Sequence, residues 1–234
     1  MGRVLIMNAT LKHIVATTYK PLLERYLSKK RVYRYAGIRL EIPPEVFHPG
    51  FFSSTRLLLD TIRTFPLADK QFLELGAGSG LISIYATMSG AFVTASDINK
   101  VAIKWLHVNS VQNRVNPTII QSDLFETIPL QTFDIIAINP PYYKKQPRTE
   151  AEHAWYCGEN GEYFLRLFQQ LSTYVHPQTE IRMVLCDGCD INLVAKAAAD
   201  NGFQLRLLLT KKTLIEKNFI YSIVKKDLPQ DLKT

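Results

Sequence analysis

From residue 70 to residue 224 short apolar runs alternate with stretches of helical period, and this alternation leaves few folds open. The strand-like runs are 71–75, 92–96, 118–121, 133–138, 181–186, 203–209 and 219–224. Between them, Leu81, Ile82, Tyr85 and Met88, then Val101, Trp105 and Val108, then Phe164, Leu167, Phe168 and Leu171, then Val194, Ala195 and Ala198 are spaced as apolar helix faces. A helix between two strands carries the chain back to the starting edge of the sheet, so the strands run parallel. The expected fold is α/β with a mostly parallel sheet, and 234 residues suffice for one domain with some elaboration.

Several classes are set aside early. No apolar run approaches the roughly 20 residues that span a bilayer. Val4–Met7 is too short for a signal-peptide core. Met1-Gly2 is followed at position 6 by Ile6 rather than the Ser or Thr of a myristoylation signal. The expectation is a soluble, cytoplasmic protein. Three cysteines fit a reducing compartment, and Cys186 and Cys189 lack two further ligands at zinc-site spacing. The five histidines are scattered, so no metal site is expected, and Cys186 is expected to close a buried strand.

Charge divides the chain unevenly. Residues 1–40 carry nine Lys or Arg against one acid, Glu24, so that segment holds +8 and the rest −1 of the net +7. The reading is a basic N-terminal arm over 1–45 and a larger domain over 46–234. Tyr19, Leu22, Leu23, Tyr26 and Leu27 follow helical spacing, with Lys29, Lys30, Arg31 and Arg34 behind them and Tyr33 and Tyr35 interleaved. Cations among aromatics over residues 12–39 suit RNA or a ribosomal surface; a helix with a solvated basic face fits equally.

The chemistry collects at the ends of the strands. Phe72-Leu73-Glu74-Leu75-Gly76-Ala77-Gly78-Ser79-Gly80 joins the first strand of this region to its helix. Glycines there let the backbone turn tightly and approach a ligand, at the sheet end where α/β proteins bind theirs. Asp97 ends the second strand, where a carboxylate can accept ribose hydroxyls. Asp123 follows the third, in Gln121-Ser122-Asp123-Leu124, within reach of an adenine amino group. The fourth runs Ile135-Ile136-Ala137-Ile138 and stops on Asn139-Pro140-Pro141-Tyr142-Tyr143. Two prolines cannot donate to a ladder and hold the chain extended. The Asn139 amide oxygen and the Pro140 carbonyl can converge on one point beside the flat ring of Tyr142. Two acceptors and a ring suit a planar group bearing NH2: a carboxamide, adenine or guanine.

A dinucleotide is the rival ligand. Its fingerprint is G-x-G-x-x-G, whereas Gly76, Gly78 and Gly80 are spaced G-x-G-x-G. A pyrophosphate at the helix N-terminus would also sit near Glu74. A cationic cofactor without phosphate, such as S-adenosylmethionine, explains the acid better.

On these residues the chain, over about 47–224, resembles the class I S-adenosylmethionine-dependent methyltransferases of the Asn-Pro-Pro-Tyr type. The resemblance implies a Rossmann-like seven-stranded sheet, six strands parallel and the last, near 219–224, antiparallel. It implies that Glu74, Gly76, Gly78 and Gly80 hold the methionine part of the cofactor, Asp97 the ribose, and Asp123 with Leu124 the adenine. Asn139, Pro140 and Tyr142 would position the acceptor nitrogen, with Pro141 and Tyr143 also facing the substrate. Phe47-His48-Pro49-Gly50-Phe51-Phe52-Ser53-Ser54-Thr55 resembles the segment that caps the cofactor, with Thr55 its candidate contact.

Two substrate classes share this motif. Ala154-Trp155-Tyr156-Cys157-Gly158-Glu159-Asn160-Gly161 resembles the A-W-x-G-G-x-x-G stretch of the HemK-like glutamine methyltransferases of release factors, with Cys157 where that pattern has glycine. The basic arm fits an RNA or DNA methyltransferase acting on adenine N6 or guanine N2. A non-catalytic binding module of the same fold is the alternative outside enzymes. The polar run 144–153 is expected as a surface loop beside the site.

Overall fold

The computed structural model describes residues 28–51, 53–213 and 216–226. The helical spacing over Tyr19–Leu27 lies outside these. The described part of the basic segment is not helical. Arg31–Tyr35 (β1) and Ile38–Ile42 (β2) form an antiparallel hairpin, Tyr35 opposite Ile38. Ala36 and Gly37 make the two-residue turn with φ of 51° and 81°, the left-handed pair that suits the twist of a tight hairpin. Ile38, Leu40 and Ile42 are at most 1% exposed. Each buried aliphatic of this kind contributes roughly 1.5–3 kcal/mol, so the hairpin is firmly seated on the following domain.

Beyond it come α1 (Ser53–Ile62), β3 (Gln71–Leu75), α2 (Leu81–Met88), β4 (Phe92–Asp97), α3 (Lys100–Gln112), β5 (Thr118–Gln121), β6 (Phe133–Ile138), α4 (Glu162–Leu171), β7 (Val175–Cys186), α5 (Ile191–Asp200), β8 (Phe203–Lys212) and β9 (Lys217–Lys225). The sheet order is β5-β4-β3-β6-β7-β9-β8. Pairings are parallel from β5 through to β7, and β9 is antiparallel to both neighbours. Six strands thus share one direction and β9 opposes them, as expected. β7 starts six residues before the apolar run at 181, through His176-Pro177-Gln178. That extension has no apolar pattern and meets β6 at its two ends alone, Phe133↔Val175 and Ile135↔Glu180, with a register shift between them.

Both faces are covered, which is why the central strands read as continuous apolar runs. Leu73, Leu75, Ile136 and Ile138 point into a core with Phe164, Leu167, Phe168 and Leu171 of α4 and Val194 of α5. Phe72, Ile135 and Ala137 point the other way, against α1, α2, α3 and the β1–β2 hairpin. Cys186 is the last residue of β7 and 2% exposed.

Candidate active site

Strand register brings the four motif segments together. Leu75 lies opposite Ser96 on one side and Ile138 on the other. The next residue of each strand, Gly76, Asp97 and Asn139, therefore leaves the sheet side by side. Asp97 in turn lies opposite Gln121, two residues before Asp123. Chain direction around the sheet reverses between β3 and β6, the place where a crevice opens in such folds. A cleft of about 210 Å³ lies there, bordered by Glu74, Gly76, Gly78, Asp97, Asp123, Leu124, Thr55, Asn139, Pro140, Pro141 and Tyr142. Gly80 and Tyr143 do not border it.

The glycine loop is held by its neighbours. Gly76 and Ala77 both donate backbone N–H bonds to the Ser96 carbonyl at 2.9 Å. Gly78 N–H donates to Asp97 Oδ2 at 2.8 Å, and Asn99 N–H to Asp97 Oδ1 at 2.9 Å. Burial pushes the Asp97 carboxyl up, and these N–H bonds oppose the shift. Gly80 has φ +90°, and a Cβ there would meet Leu106 Cδ1 at 2.2 Å. Its glycine is demanded by packing against α3, not by a ligand.

Glu74 is 4% exposed. Its Oε2 accepts the Ser83 backbone N–H at 2.7 Å and the Ser83 hydroxyl, capping the first turn of α2, whose N-cap Gly80 has no side chain. Burial nevertheless pushes the Glu74 carboxyl up to about 8.

At the third acid, Asp123 Oδ2 accepts from Arg166 Nη1 at 2.9 Å, while Nη2 of the same guanidinium reaches Glu126 at 2.7 Å. Leu124 beside it has φ +51°, a conformation costing a non-glycine residue roughly 1–2 kcal/mol.

Asn139 is fixed from both ends. Its Oδ1 accepts the Tyr142 hydroxyl at 2.6 Å, and its Nδ2 donates to Thr55 Oγ1 at 3.0 Å and Ser54 Oγ at 3.4 Å. Among the described residues no donor reaches the Pro140 carbonyl. Tyr142 is 8% exposed, and burial raises its phenol well above the ordinary value. Tyr143 is 44% exposed, its ring against Gly188.

The stretch after the polar loop forms the opposite wall. The Trp155 carbonyl accepts both Tyr142 N–H at 3.1 Å and Tyr143 N–H at 2.9 Å, and Cys157 N–H donates to the Tyr143 carbonyl at 2.9 Å. Gly158 and Gly161 have φ of +91° and +74°, where Cβ atoms would strike Glu162 and Leu193. Cys157 is outside the left-handed region and 4% exposed in the core, so the departure from glycine falls where a side chain is admissible. The polar run is more than a surface loop. Gln146, Pro147, Glu150 and His153 border the cleft, and Glu150 Oε2 accepts the Lys100 N–H at 3.1 Å. Phe47 closes over from the other side, its ring 5.2 Å from that of Trp155. Arg166 carried no local signal in the sequence, because it acts across the fold on Asp123 and Glu126.

The charge of the cleft selects its ligand. Glu45, Glu74, Asp97, Asp123, Glu150 and Glu162 border it, with Arg166 the one Lys or Arg among the bordering residues. With Glu74 still protonated at neutral pH, a pyrophosphate would meet the other carboxyl groups with a single Lys or Arg cation, already paired twice. A nucleoside bearing positive charge fits this donor set.

The profile of the methyltransferase small domain matches residues 39–185. A Methanocaldococcus jannaschii protein with the provisional name protein N5-glutamine methyltransferase is 40% identical over 107 residues, 45% of this chain and 52% of that protein. A release factor glutamine methyltransferase of Flavobacterium psychrophilum is 32% identical over 97 residues, 40% of this chain and 34% of that one. The chain thus spans about half or less of the length of these relatives. Among solved structures, the E. cuniculi Mtq2–Trm112 complex, described as methylating the termination factor eRF1, superposes with a TM-score of 0.59 at 21% identity, covering 78% of this chain and 99% of that one. The T. thermophilus 16S rRNA N2 G1207 methyltransferase, with AdoMet and guanosine, gives 0.58 at 20%, covering 85% and 50%. At such identities these two speak for the fold. Among the described residues no helix is long and apolar enough to cross a membrane.

Proposed function

The chain belongs to the methyltransferase small-domain family, and on that premise we propose that it methylates a planar NH2 nitrogen, with the side-chain amide of a protein glutamine as acceptor. The observation that carries this reading is the fixed Asn139 amide beside the unshared Pro140 carbonyl. S-adenosylmethionine, when bound, would supply a methyl group already activated by its sulfonium. Asp97 would accept the ribose hydroxyls, Asp123 and Leu124 would hold the adenine, and Gly76 and Gly78 would leave room for the methionine part beside Glu74.

The residues of this chain then solve a problem of orientation. An amide nitrogen is a poor nucleophile because its lone pair is delocalised. Asn139 Oδ1, with one lone pair engaged by Tyr142, and the Pro140 carbonyl would accept the two N–H bonds of the acceptor. They would aim the nitrogen and strengthen as positive charge grows on it; the surplus proton leaves after transfer, so no general base is needed beforehand. The Tyr142 ring would pack on the acceptor plane, with Pro141 beside it and Tyr143 at the mouth.

The name and 40% identity of the M. jannaschii relative support a protein acceptor, such as a release factor. The second reading, a nucleobase in RNA or DNA, is favoured by the charge of residues 1–40, nine Lys or Arg against one acid, although Lys30 itself is taken up by Glu41 at 2.6 Å and by the Trp105 ring. A cytoplasmic location is compatible with both readings. The deciding experiment transfers label from S-adenosylmethionine into cell extract, then divides it among protease, RNase and DNase, with Asn139→Ala as blank. Label removed by protease supports the glutamine reading; label removed by a nuclease replaces it with the second. No label, with no cofactor binding by calorimetry, means a non-catalytic module.

A further inference from the structure

The outer edge of β8 is uncovered among the described residues: β9 is its one neighbour in the sheet. Leu207, Leu208 and Leu209, three in succession, are 53%, 52% and 46% exposed. A register shift between Leu207 and Leu209 opposite β9 leaves Leu208 as a bulge. A long edge strand bearing aliphatic side chains is a template for another chain, since its unpaired N–H and C=O groups have no other ladder to join. Residues 203–213 also contain three cations, Arg206, Lys211 and Lys212, and no acid. None of the three forms an ion pair with a described acid.

This edge belongs to the same frame as the acceptor site. β8 runs in the direction of β6, so Lys211 and Lys212 stand at the sheet end that carries Asn139. The β8–β9 hairpin is tied to the start of α1, where Glu216 Oε1 accepts the Ser53 N–H at 3.1 Å and the Ser53 hydroxyl at 3.0 Å. Asn218 Nδ2 donates to Ser53 Oγ at 2.7 Å. Two residues further along α1, Thr55 holds Asn139. From β6 across β7 and β9 to β8 is about 14 Å at one strand spacing each. A strand added to β8 would lie about 19 Å from β6, a distance an extended chain covers in about six residues.

We infer that the outer edge of β8 docks the acceptor protein, through an extended segment carrying acidic and aliphatic side chains, a few residues or one turn away from the residue to be methylated. This rests on the protein-acceptor reading above. A peptide strand completes the ladder, covers the leucines and offsets Arg206, Lys211 and Lys212. An RNA completes no ladder and leaves the leucines wet. A second copy would add three more cations and no acid to the same seam.

The test uses the full chain and a short labelled peptide of alternating valine and glutamate, with its lysine counterpart and poly(U) as probes. Binding is followed by fluorescence anisotropy, and the site by hydrogen exchange of the outward-facing amides of residues 204–212. The expected result is protection of those amides by the glutamate peptide. Affinity should fall about tenfold for the lysine peptide and about tenfold for Lys211→Glu/Lys212→Glu. Protection by poly(U), protection rising with protein concentration alone, or amides already protected in the dilute protein would each overturn the proposal, naming RNA, a second copy or the chain's own residues as the occupant. Absence of protection overturns it as well. S-adenosylmethionine binding, measured on the same samples, separates the two claims: docking without cofactor binding leaves the edge as a peptide site and defeats methyl transfer.

Discussion

The Tyr142 hydroxyl lies 2.6 Å from Oδ1 of Asn139, so the side chain two prolines downstream holds the oxygen that would receive the acceptor N–H. Tyr142→Phe keeps the ring and removes the donor. One lone pair of the amide oxygen is then no longer directed, and turnover should fall by about ten- to a hundredfold, within the range of losing one preorganised hydrogen bond. Asn139→Ala should lose about a thousandfold or more. In both variants cofactor affinity, measured by calorimetry, should stay within about twofold of wild type. Wild-type turnover in Tyr142→Phe would reduce the hydroxyl to packing.

Thr55 offers a choice between two roles. The resemblance assigns it to the cofactor, whereas its hydroxyl accepts the Asn139 Nδ2 bond at 3.0 Å. If the second role governs, Thr55→Val lowers kcat by about tenfold or more with cofactor affinity unchanged, and Thr55→Ser recovers most of it. Weakened cofactor binding at normal kcat would return Thr55 to the first role.

With Glu74 at the cleft, cofactor binding should depend on pH. Its carboxyl sits at about 8 in the folded protein against an ordinary 4.5. A cation entering the cleft favours the ionised form, so binding below about pH 8 releases a proton. Affinity for S-adenosylmethionine should then rise with pH up to about 8 and level off. Stability runs the other way. Between about pH 4.5 and 8 the unfolded chain has already lost this proton while the folded one keeps it, so this group's contribution falls as pH rises. Glu74→Gln should flatten both slopes. Calorimetry and thermal melts across pH 5–9 decide, and an unchanged slope in the variant would mean another group titrates.

What the sequence made legible was local. Strand runs at 71–75 and 133–138 match the structure end to end because buried parallel strands cannot hide their apolar runs; 118–121 matches as well, though it is an edge strand with no fully buried residue. The cleft residues were legible because they follow those strands directly, and register does the rest. What escaped were partnerships across the fold: Arg166 with Asp123 over 43 residues of chain, Thr55 with Asn139 over 84. The β1–β2 hairpin escaped for another reason. Its turn is Ala36-Gly37, without the Asn-Gly or Asp-Gly that announces such a turn.

Gly78 and Gly80 look alike in the sequence, and the structure separates them. Both have positive φ, +54° and +90°, which costs an alanine roughly 1–2 kcal/mol. A Cβ on Gly78 would find only Val46 Cγ1, at 3.8 Å, but would stand at the cleft beside the N–H that binds Asp97. A Cβ on Gly80 would overlap Leu106 Cδ1 at 2.2 Å, away from the cleft. Gly80→Ala should therefore destabilise by about 2–4 kcal/mol while the folded fraction binds cofactor normally, since backbone strain and overpacking add. Pairing it with Leu106→Ala should relieve the overlap and show a coupling of about 1–3 kcal/mol in a double-mutant cycle. Gly78→Ala should show the reverse balance, a loss near 1–2 kcal/mol in denaturant melts with cofactor affinity down by about tenfold or more. Equal effects of the two alanines on affinity would mean that Gly80 also serves the ligand.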